Sequence, residues 1–333
     1  MAQLILQGER AVPAVAAVLL GPPSSIAEPR CLAAEILGAI GGEAALSALI
    51  RALTIHDVRR LDPVLRLAEE AVRNRAAEQL GKLGNRRAIG PLIYALAREG
   101  VRGAMGALAQ FGEPGGIRYV VRRLEDPCDR VAAADAVLRY GRIAVPDLAA
   151  TLNERKPSAE EEAPMSRERR AEAARLLGVL GDDRVIPTLE AYLEDSAPAV
   201  RLEAALARLA LSRADVPDGV LRLVAENLGH ANMAVAERCM DALVSMGDRS
   251  IPHLVAVAGP RVARPRGSRQ PSEDAHQVAA IQVLQRLGTE ASAHALEGFI
   301  RDVSPLVRGC VWRALGRSPL DSLESWPRYA RGG

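Results

Sequence analysis

Five histidines and four cysteines are the side chains best suited to hold a metal or attack a substrate, and their spacing argues against both. His56, His230, His253, His276 and His294 are scattered singly along the 333 residues, and none is followed by Glu. No pair of His or Cys has the close spacing of zinc ligands. Cys31, Cys128, Cys239 and Cys310 lie far apart, and three fall in helical patterns where small apolar residues belong. They read as reduced, mostly buried thiols. No Walker-type glycine loop occurs, and no convincing strand is present to carry a dinucleotide fingerprint. The adjacent Asp182 and Asp183 could pair for acid–base work. Like most of the carboxylates, however, they sit at expected helix junctions or exposed helix positions, where charge caps and solvates. The expectation is no catalytic centre, no metal and no cofactor.

The elements that carry these residues repeat. The stretch RRAEAARLLGVLGDDRVIPTLEAYLEDSAPAVR, 169–201, is followed position for position by VRNRAAEQLGKLGNRRAIGPLIYAL, 72–96. Weaker copies begin at 30, 101, 130, 200, 235 and 278, and the chain closes on VRGCVWRALG at 307–316. In the template, Ala173, Leu176, Leu177 and Leu180 form one apolar stripe at helical spacing, and Ile186, Leu189 and Leu193 form a second. Gly181 with Asp182 and Asp183 marks the turn between two helices, and Pro187 falls in the first turn of the second. A hairpin of two short helices cannot bury both stripes alone, so neighbouring hairpins must stack.

The pattern Ala-Ala, Leu-Gly, Leu-Gly-Asp, Ile-Pro, Leu resembles the HEAT repeat family, in particular the short bacterial repeats of phycobilisome lyase proteins. The resemblance covers roughly residues 8–317 and is sharpest at 169–195 and 72–96. It implies an all-α, armadillo-like fold: a right-handed α-solenoid (superhelix) of about nine HEAT-like helical-hairpin repeats. First helices would line the convex side and second helices the concave side, with proteins as the usual partners. It also implies that the Val-Arg pairs at 72–73, 101–102, 200–201 and 307–308 meet an acidic residue near the preceding turn and form a ladder between repeats. One HEAT-like branch, deoxyhypusine hydroxylase, holds two irons with His-Glu pairs, and this chain has no such pair. Another, a DNA glycosylase branch, needs a basic face and aromatics. Here aromatics are 3% of residues, and 43 basic against 41 acidic residues leave a formal charge of +2, so nucleic acid is not an expected partner.

Composition also bounds the core and the compartment. With 49% apolar residues and so few aromatics, Ala, Leu, Val and Ile must pack the helices closely. No apolar run approaches the roughly 20 residues of a membrane span, and the run at 11–20 matches the repeat better than a signal peptide. The expected location is the cytoplasm.

Breaks in the repeat divide the chain into N-terminal repeats at 1–152, a charged inter-repeat loop at 153–170, C-terminal repeats at 171–317 and a tail at 318–333. A second loop at 259–276 carries Arg261, Arg264, Arg266 and Arg269 on a Gly/Pro-rich backbone and could bind acidic protein or phosphate. The first repeat has too little chain before 9–19 for a full outer helix, an opening for docking or self-association. Aligning second helices on the template turns the positions equivalent to 184, 188 and 191 away from the core. Those rows place Arg51, Arg87, Tyr94, Tyr119 and Arg122 along one track, while later rows are mostly small or acidic. Arg and Tyr are enriched at interface hot spots. The expected function is a non-catalytic scaffold or adaptor that binds an acidic or extended protein segment on its concave face. The alternative is a lyase-like or chaperone protein acting on a protein-bound chromophore or cofactor.

Overall fold

Glycine and proline set the boundaries of every hairpin. The computed structural model describes residues 1–153, 164–259, 271–300 and 304–316, and among them every regular element is helical. The chain divides into two compact units, 1–182 and 183–333. Unit 1 holds α1 (Ala2–Gln7), α2 (Val12–Leu19), α3 (Glu28–Ile40), α4 (Gly42–Ala52), α5 (Pro63–Leu83), α6 (Ile89–Tyr94), α7 (Gly103–Phe111), α8 (Pro114–Arg122), α9 (Arg130–Tyr140), α10 (Val145–Leu152) and α11 (Pro164–Leu180). Unit 2 holds α12 (Ile186–Ala191), α13 (Pro198–Leu211), α14 (Asp218–Glu226), α15 (Met233–Ser245), α16 (Ile251–Ala258), α17 (Pro271–Leu287), α18 (Glu290–Glu297) and α19 (Pro305–Ala314).

Within a repeat, the turn between helices runs through a glycine with positive φ: Gly41, Gly84, Gly112, Gly141, Gly181, Gly247 and Gly288. A β-carbon is strained in that conformation, which is why Leu-Gly recurs in the sequence. The hairpin of α13 and α14 has no such glycine, and its turn contains Asp215, the one non-glycine residue with positive φ among those described. Prolines occupy the first turn of α2, α8, α10, α12 and α16, where the missing N–H is free of any helical duty.

The hairpins stack as a solenoid within each unit. In unit 1, α3, α5, α7, α9 and α11 pack successively as first helices, and each second helix, from α2 to α10, packs on the first helix that follows it. In unit 2, α13, α15, α17 and α19 form the same series, with α14, α16 and α18 beside them. Small residues make this close stacking possible. Ala33, Ala34, Ala76, Ala77, Ala173 and Ala174 are buried with Leu37, Leu80 and Leu177. At Gly103 a β-carbon would lie 2.4 Å from the carbonyl oxygen of Asn74, so α5 and α7 approach too closely for any side chain there.

The second-helix stripe is shifted from the expected one. Val185, Leu189 and Tyr192 are buried, whereas Ile186 and Leu193 are only half-buried. The cause is the tight three-residue turn Asp183–Val185 ahead of α12, which changes the angular phase at which the helix begins. Two expected loops are also shorter than read. Residues 164–170 are the opening of α11 and 271–276 the opening of α17, while 154–163 and 260–270 lie outside the described residues. The division into units falls between Asp182 and Asp183, inside the sharpest repeat.

In four hairpins a polar side chain of the first helix bonds to backbone of the preceding repeat. The residue eleven positions ahead of Gly41, Gly84, Gly141, Gly181 and Gly288 is Arg30, Arg73, Arg130, Arg170 and Gln277, respectively. All but the half-buried Arg130 are buried. Arg30 Nε donates to the Leu19 carbonyl at the end of α2, 2.8 Å away, and Gln277 Nε2 donates to the Ala258 carbonyl at the end of α16 at 3.0 Å. Arg73 donates to the His56 carbonyl, and Arg130 to Leu124 and Glu125. These side chains satisfy main-chain carbonyls at or beyond helix ends, where helical partners run out.

Carboxylates then balance the buried charge: Glu69 of α5 is paired with Arg30, and Glu99 lies 3.4 Å from Arg73. The ladder therefore differs from the expected one. Arg73 and Arg102 find their acidic partners, Glu99 and Asp129, in the turn that follows the second helix of their own repeat. What Arg73 and Arg201 receive from the preceding turn is backbone carbonyl, His56 and Asp195.

Removing one member of a buried pair strands the other, at about 3–5 kcal/mol. Urea denaturation of Arg30→Ala should show a loss of that size. The double variant Arg30→Met with Glu69→Leu should recover more than half of it. Equal losses in both would mean that the lost contact to the Leu19 carbonyl, and not the stranded Glu69 charge, sets the cost.

Candidate functional site

The second helices of unit 1 bury one face and offer the other. On α8, Ile117, Val120 and Val121 are buried, which leaves Arg118 and Arg122 exposed one turn apart and Tyr119 half-buried between them. Arg51 is exposed in the last turn of α4. Arg87 is exposed in the short turn Arg86–Ala88 that leads into α6, and Tyr94, the last residue of α6, is 54% exposed. Each residue of the expected track within unit 1 thus belongs to a second helix or its lead-in turn and carries an accessible side chain. Arg261, Arg264, Arg266 and Arg269 lie outside the described residues.

Charge distinguishes the two helical layers. Four first-helix arginines of unit 1 have carboxylate partners, Arg75 with Glu35 at 3.3 Å and Glu78 at 3.0 Å, Arg139 with Asp135 at 2.9 Å, Arg169 with Glu125 at 2.9 Å and Arg175 with Glu172 at 2.5 Å, while Arg66 of α5 donates to the Val58 and Leu61 carbonyls. Around the second helices, Arg86 pairs with Glu113 at 3.0 Å and Arg87 with Glu43. Arg51, Arg118 and Arg122 have no carboxylate within ion-pair distance among the described residues. A groove of about 410 Å³ on the first-helix side, between α5, α7 and α9, contrasts with this: its Arg102 and Arg139 are already matched by Asp129 and Asp135.

Tyr119 and Arg122 come together in a pocket of about 320 Å³ between α8 and α10, which Arg118, Asp147, Ala150 and Thr151 also line. The Arg118 guanidinium sits 5.0 Å from the centre of the Tyr119 ring, a cation–π contact that narrows its rotamer choice. The Thr151 hydroxyl donates to the Asp147 carbonyl at 3.0 Å and so faces its own helix. The Asp147 carboxyl has no hydrogen-bond or ion-pair partner among the described residues. Burial raises it above the ordinary carboxylate range, and Arg118 pulls in the opposite direction. Neither Asp147 nor Arg118 belongs to the track read from the sequence. The available signal was Arg-Tyr-x-x-Arg at 118–122, which sets two guanidiniums on one helical face beside a ring.

Other candidate groups stay apart. His56 Nε2 lies 2.9 Å from the Gly21 carbonyl, His276 Nε2 lies 3.1 Å from that of Glu226, and His230 Nδ1 accepts from the Asn232 N–H. Among the described residues, no group of three or more His, Cys, Asp or Glu is gathered as metal ligands, and no helix is long and apolar enough to cross a membrane. Leu4, Val15, Val18, Leu32 and Ile36 line an apolar groove of about 260 Å³ between α1, α2 and α3, at the short first hairpin. Asp182 is buried and Asp183 opens the turn into α12, in keeping with helix-junction roles.

A family match agrees with this architecture. The family description "PBS lyase HEAT-like repeat" matches residues 29–54, 72–98 and 169–195. No curated protein matches the chain significantly by sequence. Human deoxyhypusine hydroxylase in complex with glycerol is 19% identical over 92% of this chain and 96% of its own, with a TM-score of 0.30. The complex of CpcE and CpcF of phycocyanin lyase from Nostoc sp. PCC7120 is 20% identical over 92% and 93%, with a TM-score of 0.29. Kap121p bound to Nup53p is 12% identical over 92% of this chain and 40% of that one, with a TM-score of 0.47. These superpositions are too loose to transfer an activity.

The thiols give a direct check on the packing. Cys128 is exposed, whereas Cys239 is buried, and its burial pushes the thiol up to about 12. At mildly alkaline pH, a maleimide or disulfide reagent should label Cys128 in the folded protein and reach Cys239 only on unfolding. Comparable rates at the two sites, resolved by peptide mapping, would contradict the packing of α15.

Proposed function

We propose that this chain, three segments of which match the PBS lyase HEAT-like repeat, is a non-catalytic scaffold that binds a protein partner on its second-helix face. The partner segment is acidic or extended, and it lies along α4, α6, α8 and α10. One observation carries this reading: Arg75, Arg139, Arg169 and Arg175 of the first helices are paired with carboxylates, while Arg51, Arg118 and Arg122 of the second helices are exposed and have none among the described residues. A solvated arginine is ordinary, but three on one layer beside the exposed ring of Tyr94 and the half-buried ring of Tyr119 make a surface of the hot-spot type. Long-range attraction between such a face and an acidic segment speeds encounter and weakens with salt. The four cysteines are all free thiols, which fits a reducing compartment, and we take the cytoplasm as the location.

The test is fluorescence anisotropy with a labelled Glu-rich peptide of about a dozen residues, long enough when extended to cross several repeats. The combined variant Arg51→Glu, Arg118→Glu and Arg122→Glu should weaken binding tenfold or more, and added salt should weaken binding to the unaltered protein. Reversal of the already paired Arg139 should leave affinity within about twofold, as expected for a surface ion pair. Unchanged binding in the triple variant, or an equal loss in the Arg139 control, would overturn the proposal.

A further inference from the structure

The pocket between α8 and α10 is more specific than the face it belongs to. We propose that it is the seat for one anionic side chain of the partner, a carboxylate or a phosphate group held between Arg118 and Arg122, with Asp147 competing for the same guanidinium. The inference rests on the scaffold reading above. Arg118 and Arg122 are four residues apart on α8, so their side chains rise from one face about one turn apart. Two guanidiniums at that spacing can bracket a single planar carboxylate or a phosphate with charge-assisted hydrogen bonds. The contact of Arg118 with Tyr119 at 5.0 Å holds one of them in place before any ligand arrives. A volume of about 320 Å³ admits a side chain together with the backbone that carries it.

Asp147 gives this pocket a feature that a patch of surface arginines lacks. It faces Arg118 across the pocket, half-buried, without a hydrogen bond or close ion pair of its own among the described residues. Its position in the first turn of α10 favours the ionised form slightly, burial disfavours it more strongly, and Arg118 is the charged side chain that acts on it. Arg122 is the other charge lining the pocket, and α11, packed against α10, contributes no lining residue among those described. Arg142, in the turn ahead of α10, donates to the Gly181 carbonyl at 3.0 Å and is not among the lining residues. An incoming anion therefore meets two positive groups and one negative group. When Asp147 takes up a proton, the opposing charge vanishes and the ligand meets Arg118 and Arg122 alone.

The experiment compares three labelled peptides of one sequence, with Glu, phosphoserine or Gln at a central position, against the full-length protein and its variants by anisotropy. Asp147→Asn, which keeps the shape and removes the charge, should raise affinity for the Glu or the phosphoserine peptide by about three- to tenfold at neutral pH, and should leave the Gln peptide unchanged. Whichever anion gains more is the one for which the pocket is built. As pH falls towards the carboxylate range, the raised Asp147 takes up its proton before the exposed peptide carboxylates do, so affinity of the unaltered protein for the Glu peptide should rise relative to that of Asp147→Asn. The gain should also vanish in Arg118→Gln, which a purely structural effect of the Asn would not do. If both anionic peptides bind and Asp147→Asn leaves them unchanged or weaker, the competing role is wrong while the scaffold reading stands. If neither binds the unaltered protein, both fall.

Discussion

The stack depends on how the unpaired carbonyls at the ends of the second helices are satisfied. A helix end leaves several such groups, and between two packed repeats water reaches them poorly. Here the carbonyls of Leu19 and Ala258 are taken by Arg30 and Gln277, side chains set eleven residues before the turn glycine of the next repeat. Arg73 and Arg130 serve carbonyls of the preceding turns in the same way. An arginine buried for this purpose brings a charge that must itself be matched, which accounts for Glu69 against Arg30 and Glu99 against Arg73. The contact is both bond and ruler. It sets the axial position of α3, α5, α9 and α17 relative to the chain before them, and apolar stripes of Ala and Leu, which slide easily, would not do this alone.

Matching the buried arginines has a consequence for the surface. The first-helix layer is laced with ion pairs, and the second-helix layer of unit 1 keeps guanidiniums that nothing in the described chain neutralises. The stacking interaction and the proposed binding surface thus use the same residue type in opposite ways: paired and buried in one layer, open and positioned in the other. Tyr119 contributes on both sides, with part of its ring packed into the repeat and part held under Arg118.

Much of the architecture was legible from local chemistry. Leu-Gly marked the turns because a positive φ tolerates little besides glycine, and Ile-Pro or Val-Pro marked second helices because proline suits a first helical turn. The phase of α12 was not legible, since the short turn at Asp183–Val185 rotates the stripe by about a residue, and composition does not disclose that. The charged stretches at 164–170 and 271–276 looked like loops because of their polarity, yet Met, Arg and Glu in the first and Glu and Ala in the second are good helix formers and extend α11 and α17 backwards. At the site, exposure of Arg51, Arg87 and Arg122 followed from repeat alignment. Asp147 did not stand out, because its burial comes from the neighbouring hairpin and is a property of the stack.

The central claim is that the second-helix layer of unit 1, and not the first-helix layer, meets the partner. Hydrogen–deuterium exchange of the full-length chain with and without a saturating Glu-rich peptide tests it most directly. The account predicts slowed exchange at the exposed ends of α8 and α10, spanning Pro114–Arg122 and Val145–Leu152, with α7 and α9 unchanged. Protection confined to α7 and α9, or absent from unit 1 despite demonstrated binding, would contradict it.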